Sequence, residues 1–303
     1  VWAVAFSPNG ELLASSSDGG SVRLWDIARK REIAVLKGHT GWPAAVAFSP
    51  DGRILASGGN EPLVRLWDVA SRRQIAALQG HKTNVGEVAF SPDGRLLATG
   101  SPSDGTVRLW AIARSSAARR RPGAGEGTDG RRPTAGTQLP TAWRTIATIK
   151  GYSHTDRLVL DSLVFSPDSR LLVTGTRQGP MQGPLRLWDV AGYGSKPQTG
   201  SKPGPRRVAS LGESLEGIVC AAFSPDGKIL ATGGWDYGIR FWDLAAKREV
   251  GTPLWGHTWG IDSVAFSPDG KSLASSGADS TIKLWDVATR QELTTFNGHR
   301  GGV

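Results

Sequence analysis

Residues 256–286, GHTWGIDSVAFSPDGKSLASSGADSTIKLWD, hold the pattern from which most of the chain is copied. The Phe-Ser-Pro triplet returns at Phe6, Phe48, Phe90, Phe165, Phe223 and Phe266, and a Trp closing a β-branched run returns at Trp25, Trp67, Trp110, Trp188, Trp242 and Trp285. That gives six copies, and undisturbed neighbours lie 42 or 43 residues apart (Phe6 to Phe48, Phe48 to Phe90, Phe223 to Phe266). A period of this length marks stacked supersecondary units.

In the last copy the pattern predicts four short strands, Ile261 to Phe266, Ser272 to Ser276, Thr281 to Trp285 and Glu292 to Phe296. Between the first two lies Ser267-Pro268-Asp269-Gly270, where Pro pre-sets the first turn angle and Gly accepts a positive φ. A four-stranded antiparallel sheet of about 40 residues is too thin to bury its own faces, so the copies must stack and share a core. Rings of such sheets are propellers.

Gly256-His257 before the first strand, Ser275 in the second, Asp279 in the following turn and Trp285-Asp286 closing the third resemble a WD40 repeat. The resemblance recurs in register six times over almost the whole chain. It implies an all-β fold, a β-propeller of six four-stranded antiparallel blades, in a class that serves as a rigid platform for other proteins. Because the copies share one ring, residues 1–303 are expected to be a single propeller, although the length would allow two ordinary domains.

The chain opens inside a strand, at Val1, and spans six whole periods, since Val303 falls in the register of Pro43, Val85 and Val1. Many members of the family close the ring with an outer strand from one terminus, and that arrangement is missing. Either six blades close on themselves or the chain is a window from a seven-bladed or longer array; the abrupt ends favour the window, with the native N-terminus outside it. The sole cysteine, Cys220, lies in the apolar run Ile218 to Phe223 and reads as a small buried strand residue rather than a reactive thiol. Without a disulfide framework, a reducing, cytoplasmic setting is expected. No apolar run is long enough to span a membrane, and the propeller is expected to be monomeric.

Copy three departs first: Ala111 replaces the aspartate after Trp110, and residues 111–145 are rich in Arg, Pro, Gly, Ser and Thr. Such a composition cannot offset its ordering entropy, so a disordered loop is expected, and a second at 192–207 in copy four. Copy four also carries a shorter insert from Arg177 to Pro184. The net charge is +9; residues 111–145 hold seven Arg against one Glu and one Asp, a net of +5, and 192–207 hold two Lys and two Arg, a net of +4. The rest is neutral. The basic charge therefore sits in inserts without interleaved aromatics, and no specific nucleic-acid binding is expected. Both inserts follow third strands, so they should form a cationic fringe at the end of the blades opposite the histidines.

His257, Ser275 and Asp279 have the composition of a hydrolase triad. The resemblance implies instead that, with Trp285, they form the family's structural tetrad, a buried hydrogen-bond chain. Recurrence supports this reading, since His81, Thr99, Asp104 and Trp110 make a second full set and an enzyme seldom needs several triads. The other sets are incomplete. Copy two has His39, Ser57 and Trp67 with Glu61 at the acid position; copy four keeps Thr174 and Trp188, with His154 displaced; copy five has Thr232, Asp236 and Trp242; copy one has Ser15 and Trp25 with Gly19 in place of the acid. Copies three and six should be the best stapled. A GxGxxG match at Gly125 to Gly130 lacks the strand and helix that a dinucleotide site needs, and the histidines fall one per repeat, too far apart to share a metal. Nothing calls for a cofactor.

Six tryptophans lie outside the strand-closing positions: Trp2, Trp42, Trp143, Trp235, Trp255 and Trp259. Trp2, Trp42, Trp235 and Trp259 map to loops or strand starts at the histidine end of copies one, two, five and six, consecutive in a closed ring. They are read as anchors for a protein or peptide partner, with Asp18, Glu61 and Asp262 as an acidic rim; the alternative is that they pack on neighbouring blades. The expected function is a non-catalytic interaction scaffold, the sensing or docking part of a larger protein. The alternatives are an enzyme acting at the central channel, for which no carboxylate pair or nucleophile stands out, and polyanion or nucleic-acid binding through the basic inserts.

Overall fold

A computed structural model describes residues 1–113, 142–150, 158–178, 185–193, 205–211 and 218–298. Six antiparallel sheets follow one another along the chain, each with its strands in sequence order. Blade one comprises Ala3–Phe6, Leu12–Ser17, Ser21–Asp26 and Arg31–Lys37; blade two Pro43–Phe48, Ile54–Gly59, Glu61–Asp68 and Arg73–Gln79. Blade three comprises Glu87–Phe90, Leu96–Ser101, Thr106–Ala113 and Ala142–Lys150; blade four Leu158–Phe165, Leu171–Gln178, Leu185–Asp189 and Arg206–Leu211. Blade five comprises Ile218–Phe223, Ile229–Gly234, Gly238–Asp243 and a broken fourth strand, Arg248–Glu249 and Leu254–Trp255, interrupted at Gly251 (φ 67°) and Pro253. Blade six comprises Ile261–Phe266, Ser272–Gly277, Thr281–Asp286 and Glu292–Asn297. The chain is an all-β propeller of six blades, as the repeat predicts.

The recurring turn residues have a common role. In every blade the serine after the first strand donates from Oγ to the side chain two residues on and accepts the backbone N–H that opens the second strand: Ser91 Oγ to Asp93 Oδ1 is 2.6 Å and Leu96 N to Ser91 Oγ is 2.9 Å. Gly94 completes that turn at φ 65°, where a β-carbon would be strained. After the third strand the aspartate of each Trp-Asp pair accepts a backbone N–H, as from Ser71 to Asp68 (2.8 Å) and Thr289 to Asp286 (2.7 Å). Ala111 cannot do this, so the third strand of blade three runs on to Ala113 and pairs with Ala142. The basic insert is therefore narrower than the 111–145 expected, because Trp143 and Arg144 are strand residues facing Ile112 and Ala111. Arg206 and Arg207 likewise belong to a strand rather than to the 192–207 insert. Residues 114–141, with the glycine run at 125–130, residues 179–184 and 194–204, and His154 lie outside the described residues.

Cores form between blades. Blade one gives Ala14, Val22, Leu24 and Leu36 to a cluster completed by Val46, Phe48, Leu55 and Trp67 of blade two. The same pairing of halves recurs at four further junctions: two with three, three with four, four with five, and five with six. A register shift just before the closing Trp recurs in blades one, two, three, four and six, a bulge of the kind that re-aims a side chain. Cys220 lies in the fifth of these cores, where burial pushes its thiol up to about 12. Among the described residues no core joins blade six to blade one.

Candidate binding face and the buried relays beneath it

In blade six, Trp285 Nε1 donates to Ser275 Oγ at 2.8 Å, and that oxygen lies 2.7 Å from His257 Nε2. Since the oxygen accepts from the indole, the hydroxyl proton points to the imidazole, and Nδ1–H is left to donate to Asp279 Oδ2 at 2.9 Å. Asp279 also accepts from the backbone of Thr258 (2.9 Å) and from the Thr281 hydroxyl (2.7 Å). Burial alone would raise its pKa, but these hydrogen bonds outweigh that effect and hold it at about 2. Blade three repeats the arrangement: Trp110 to Thr99 is 2.9 Å, Thr99 to His81 Nε2 is 2.8 Å and His81 Nδ1 to Asp104 is 3.1 Å. Here burial lowers the His81 pKa, against the opposing pull of Asp104.

Blade two solves the same problem with a longer acid. His39 Nε2 and Trp67 Nε1 meet Ser57 Oγ at 2.7 and 2.8 Å. Glu61 Oε1 comes within 2.6 Å of His39 Nδ1, yet off the N–H direction, so that nitrogen has no well-aligned acceptor. The carboxylate turns instead to Arg65 Nε (2.8 Å) and Thr40 Oγ1 (2.8 Å). Burial pushes Glu61 up, and these donors, with the nearby charges of His39 and Arg65, bring it down to about 2. Among the described residues blades one and five keep the indole-to-hydroxyl link alone, Trp25 to Ser15 (2.8 Å) and Trp242 to Thr232 (2.9 Å), and blade four has the same link from Trp188 to Thr174 (3.0 Å). Asp236, without a histidine to serve, binds Arg240 at 2.8 Å.

These relays lie inside the protein. Ser57, Thr99 and Ser275 are at most 1% exposed, and each hydroxyl already accepts an indole N–H. A Ser-His-acid chain so arranged ties a loop, a strand and a turn together.

Above the relays the tryptophans expected at the histidine end are exposed, and the structure sorts them into two groups. Trp2 of blade one, Trp42, Ala44, Gly59 and Asn60 of blade two and Asn84 of the segment leading into blade three line a cleft of about 310 Å³. Trp2 Nε1 donates to Asp18 Oδ1 at 2.6 Å. On blades five and six, Trp235 lies across Gly260, where an added β-carbon would come within 3.2 Å of the indole, beside exposed Trp259. Asp262 is exposed nearby, its pKa raised by burial of its carboxyl and by the Asp279 charge, against the pull of His257. Glu61 is a correction: only 6% exposed and held by His39, Arg65 and Thr40, it lies within blade two and offers no charge to a rim.

Two aromatic residues of the second group were missed. Trp255 lies over Gly238, within 3.0 Å of an added β-carbon there, and adjacent Tyr237 is exposed. The signal was available: the residue before the other Gly-His pairs is Lys37, Gln79 or Asn297, and Trp255 alone is aromatic.

The class that fold and relays define is a repeat propeller whose second, third and sixth blades are stapled by His–Ser/Thr–Trp contacts. The chain belongs to the WD40 family: the family's profile, described as "WD domain, G-beta repeat", matches residues 1–26, 30–68, 72–111, 206–243 and 248–286. Blade four lies largely outside these segments, although it has the same sheet. A segment of 42 residues is 48% identical to an uncharacterized WD repeat-containing protein of Nostoc sp., covering 14% of this chain and 3% of that protein. A segment of 43 residues is 49% identical to "Probable serine/threonine-protein kinase PkwA" of Thermomonospora curvata, covering 14% of this chain and 6% of that protein. The chain thus matches only a small part of each of these relatives, about one repeat's length.

Proposed function

We propose that this propeller is a non-catalytic platform that binds a protein or peptide partner through the aromatic residues at the histidine end. Propellers of this family generally mediate protein–protein interaction, and the observation that carries the reading here is the concentration of exposed indoles. Trp2, Trp42, Trp255 and Trp259 are each more than half exposed, and Trp235 is 39% exposed. Large aromatic side chains lose little conformational entropy on binding and supply much of the energy of interfaces. Beneath Trp42 and Trp259 the relays of blades two and six tie loop, strand and turn together. Supply of this platform to a larger protein, as a docking part, fits relatives that are far longer than the segments they share with the chain.

Affinity capture from the native host with three folded forms tests the proposal: the unchanged chain, Trp42→Ala/Trp259→Ala, and a form lacking residues 114–141 and 194–204. The partner held by the unchanged chain should be lost by the double Ala form and kept by the deleted one at moderate salt. Retention by the double Ala form with loss on deletion would transfer binding to the basic inserts, which act by charge and weaken as salt rises.

A further inference from the structure

Two residues before its closing Trp, the third strand of every blade carries a cation, Arg in blades one to five and Lys283 in blade six. The residue paired with that Trp on the fourth strand decides the cation's partner. Where it is a glutamate the two are joined: Arg23 to Glu32, Arg240 Nη1 to Glu249 Oε1 at 3.0 Å and Lys283 Nζ to Glu292 Oε2 at 3.0 Å. In blade two it is Gln74, whose Oε1 accepts from Arg65 Nη1 at 2.8 Å. An acid in the turn before the third strand adds a second bond in two blades, from Arg65 Nε to Glu61 at 2.8 Å and from Arg240 Nε to Asp236 at 3.0 Å.

Arg108 of blade three has neither acid. The residue paired with Trp110 is Thr145, and Asp104 is taken up by His81 and Thr106. Among the described residues Arg108 Nε is buried without a hydrogen-bond partner. Its guanidinium lies against Gly80, where an added β-carbon would meet Arg108 Cζ, Nη1 and Nε at 3.1 to 3.2 Å; on the equivalent Gly256 it would meet Glu292 Oε2 at 3.0 Å. The paired glutamates also show the route to the cation. Glu32, Glu249 and Glu292 are 32%, 30% and 35% exposed, so a carboxylate meets it from the solvent side.

We infer that Arg108 binds a carboxylate from outside the chain, an Asp or Glu side chain of an acidic peptide, in the place that a fourth-strand glutamate holds in blades one, five and six. A guanidinium presents a planar fork of donors that matches a carboxylate, and a bond between charged partners is stronger than a neutral one. The surroundings favour an anion: Lys82, two residues beyond Gly80, is exposed, and the fourth-strand position of blade four is Arg207. The inference stands on blade three and is independent of the aromatic groups.

The test follows the Arg108 Nε–H resonance of the full chain by nuclear magnetic resonance, assigned by its loss in Arg108→Lys, as a hexaglutamate peptide is added. The resonance should move saturably with hexaglutamate and stay in place when sodium chloride gives the same ionic strength. Thr145→Glu supplies the missing glutamate in cis; it should shift the resonance without peptide and abolish the response to peptide. Thr145→Gln, which copies Gln74 of blade two, should weaken the response and serves in its place if Thr145→Glu does not fold. Three results would each overturn the inference: no saturable movement with hexaglutamate; an undiminished response in both Thr145 variants; or movement with inorganic phosphate and none with hexaglutamate, which would make the ligand a phosphate.

Discussion

Blade two and blade six carry the same four kinds of group, yet one methylene separates their relays. Asp279 reaches His257 Nδ1 at 2.9 Å in line and has oxygens to spare for Thr281 and the backbone of Thr258. Glu61 crowds His39 Nδ1 at 2.6 Å without facing it and recruits Arg65 and Thr40. The difference teaches that the histidine is held by the direction of its acid as well as by the acid's presence. A buried donor left without an aligned acceptor costs about 1–3 kcal/mol. Blade six should therefore depend on its relay more than blade two does.

The largest expected effect is at the indole. Trp285→Ala empties a core site and removes the donor to Ser275, so it should cost about 3–5 kcal/mol in chemical denaturation. A loss under about 1 kcal/mol, the range of surface changes, would break the account of blade six. His257→Ala comes next at about 1–3 kcal/mol, because it strands both the Ser275 hydroxyl and Asp279; His39→Ala should cost less, since Nδ1 there loses no aligned bond. Equal losses at the two histidines would erase the distinction between the blades.

Acid should dissect the same comparison. Burial lowers the pKa of His39 and His81 in the folded chain, so their share of stability is full above 6.5 and declines as pH falls below it, where the unfolded chain takes up protons first. Asp279 and Glu61 are held at about 2 against ordinary values of 3.8 and 4.5, so their share is full above those values and is lost as pH falls toward 2. Stability measured from pH 7 to pH 2 should fall in these two windows, and Asp279→Asn should flatten the lower one. A lower window unchanged by Asp279→Asn would show that other carboxylates set it. The smallest effect expected is from Glu61→Asp, within about 1 kcal/mol, since the shorter acid takes the position that Asp279 has in blade six while Arg65 keeps its bond to Gln74. A loss well above that would place the stability of blade two in the Arg65 pair.

Most of the fold was legible because every level of the sequence agrees. The Ser-Pro-Asp-Gly turns, the alternating strands and the closing Trp-Asp repeat in register, and the observed strands of blade six extend the expected ones by at most one residue. The two complete relays were legible for the same reason. Glu61 was misplaced on the surface because it was assigned at once to a relay position and to a rim, and only three dimensions show that one carboxylate cannot serve both. Insert boundaries were set too wide at Trp143 and Arg207, since composition averages over a window while strand pairing acts residue by residue. Exposure was the least legible property. Phe6 and Phe48 sit in the same triplet with opposite burial, because a blade's face is covered by its neighbour and not by its own sequence.

One loop ties the structure inward through His257 and offers Trp259 outward as part of the proposed binding face. His257 and Trp259 are two residues apart, the first 6% exposed and the second 55%. The direct measurement is the thermal midpoint of His257→Ala and Trp259→Ala beside the unchanged chain, by circular dichroism under identical conditions. The account predicts a drop of several degrees for His257→Ala and a change within about one degree for Trp259→Ala. An unchanged midpoint for His257→Ala, or a drop as large for Trp259→Ala, would contradict it.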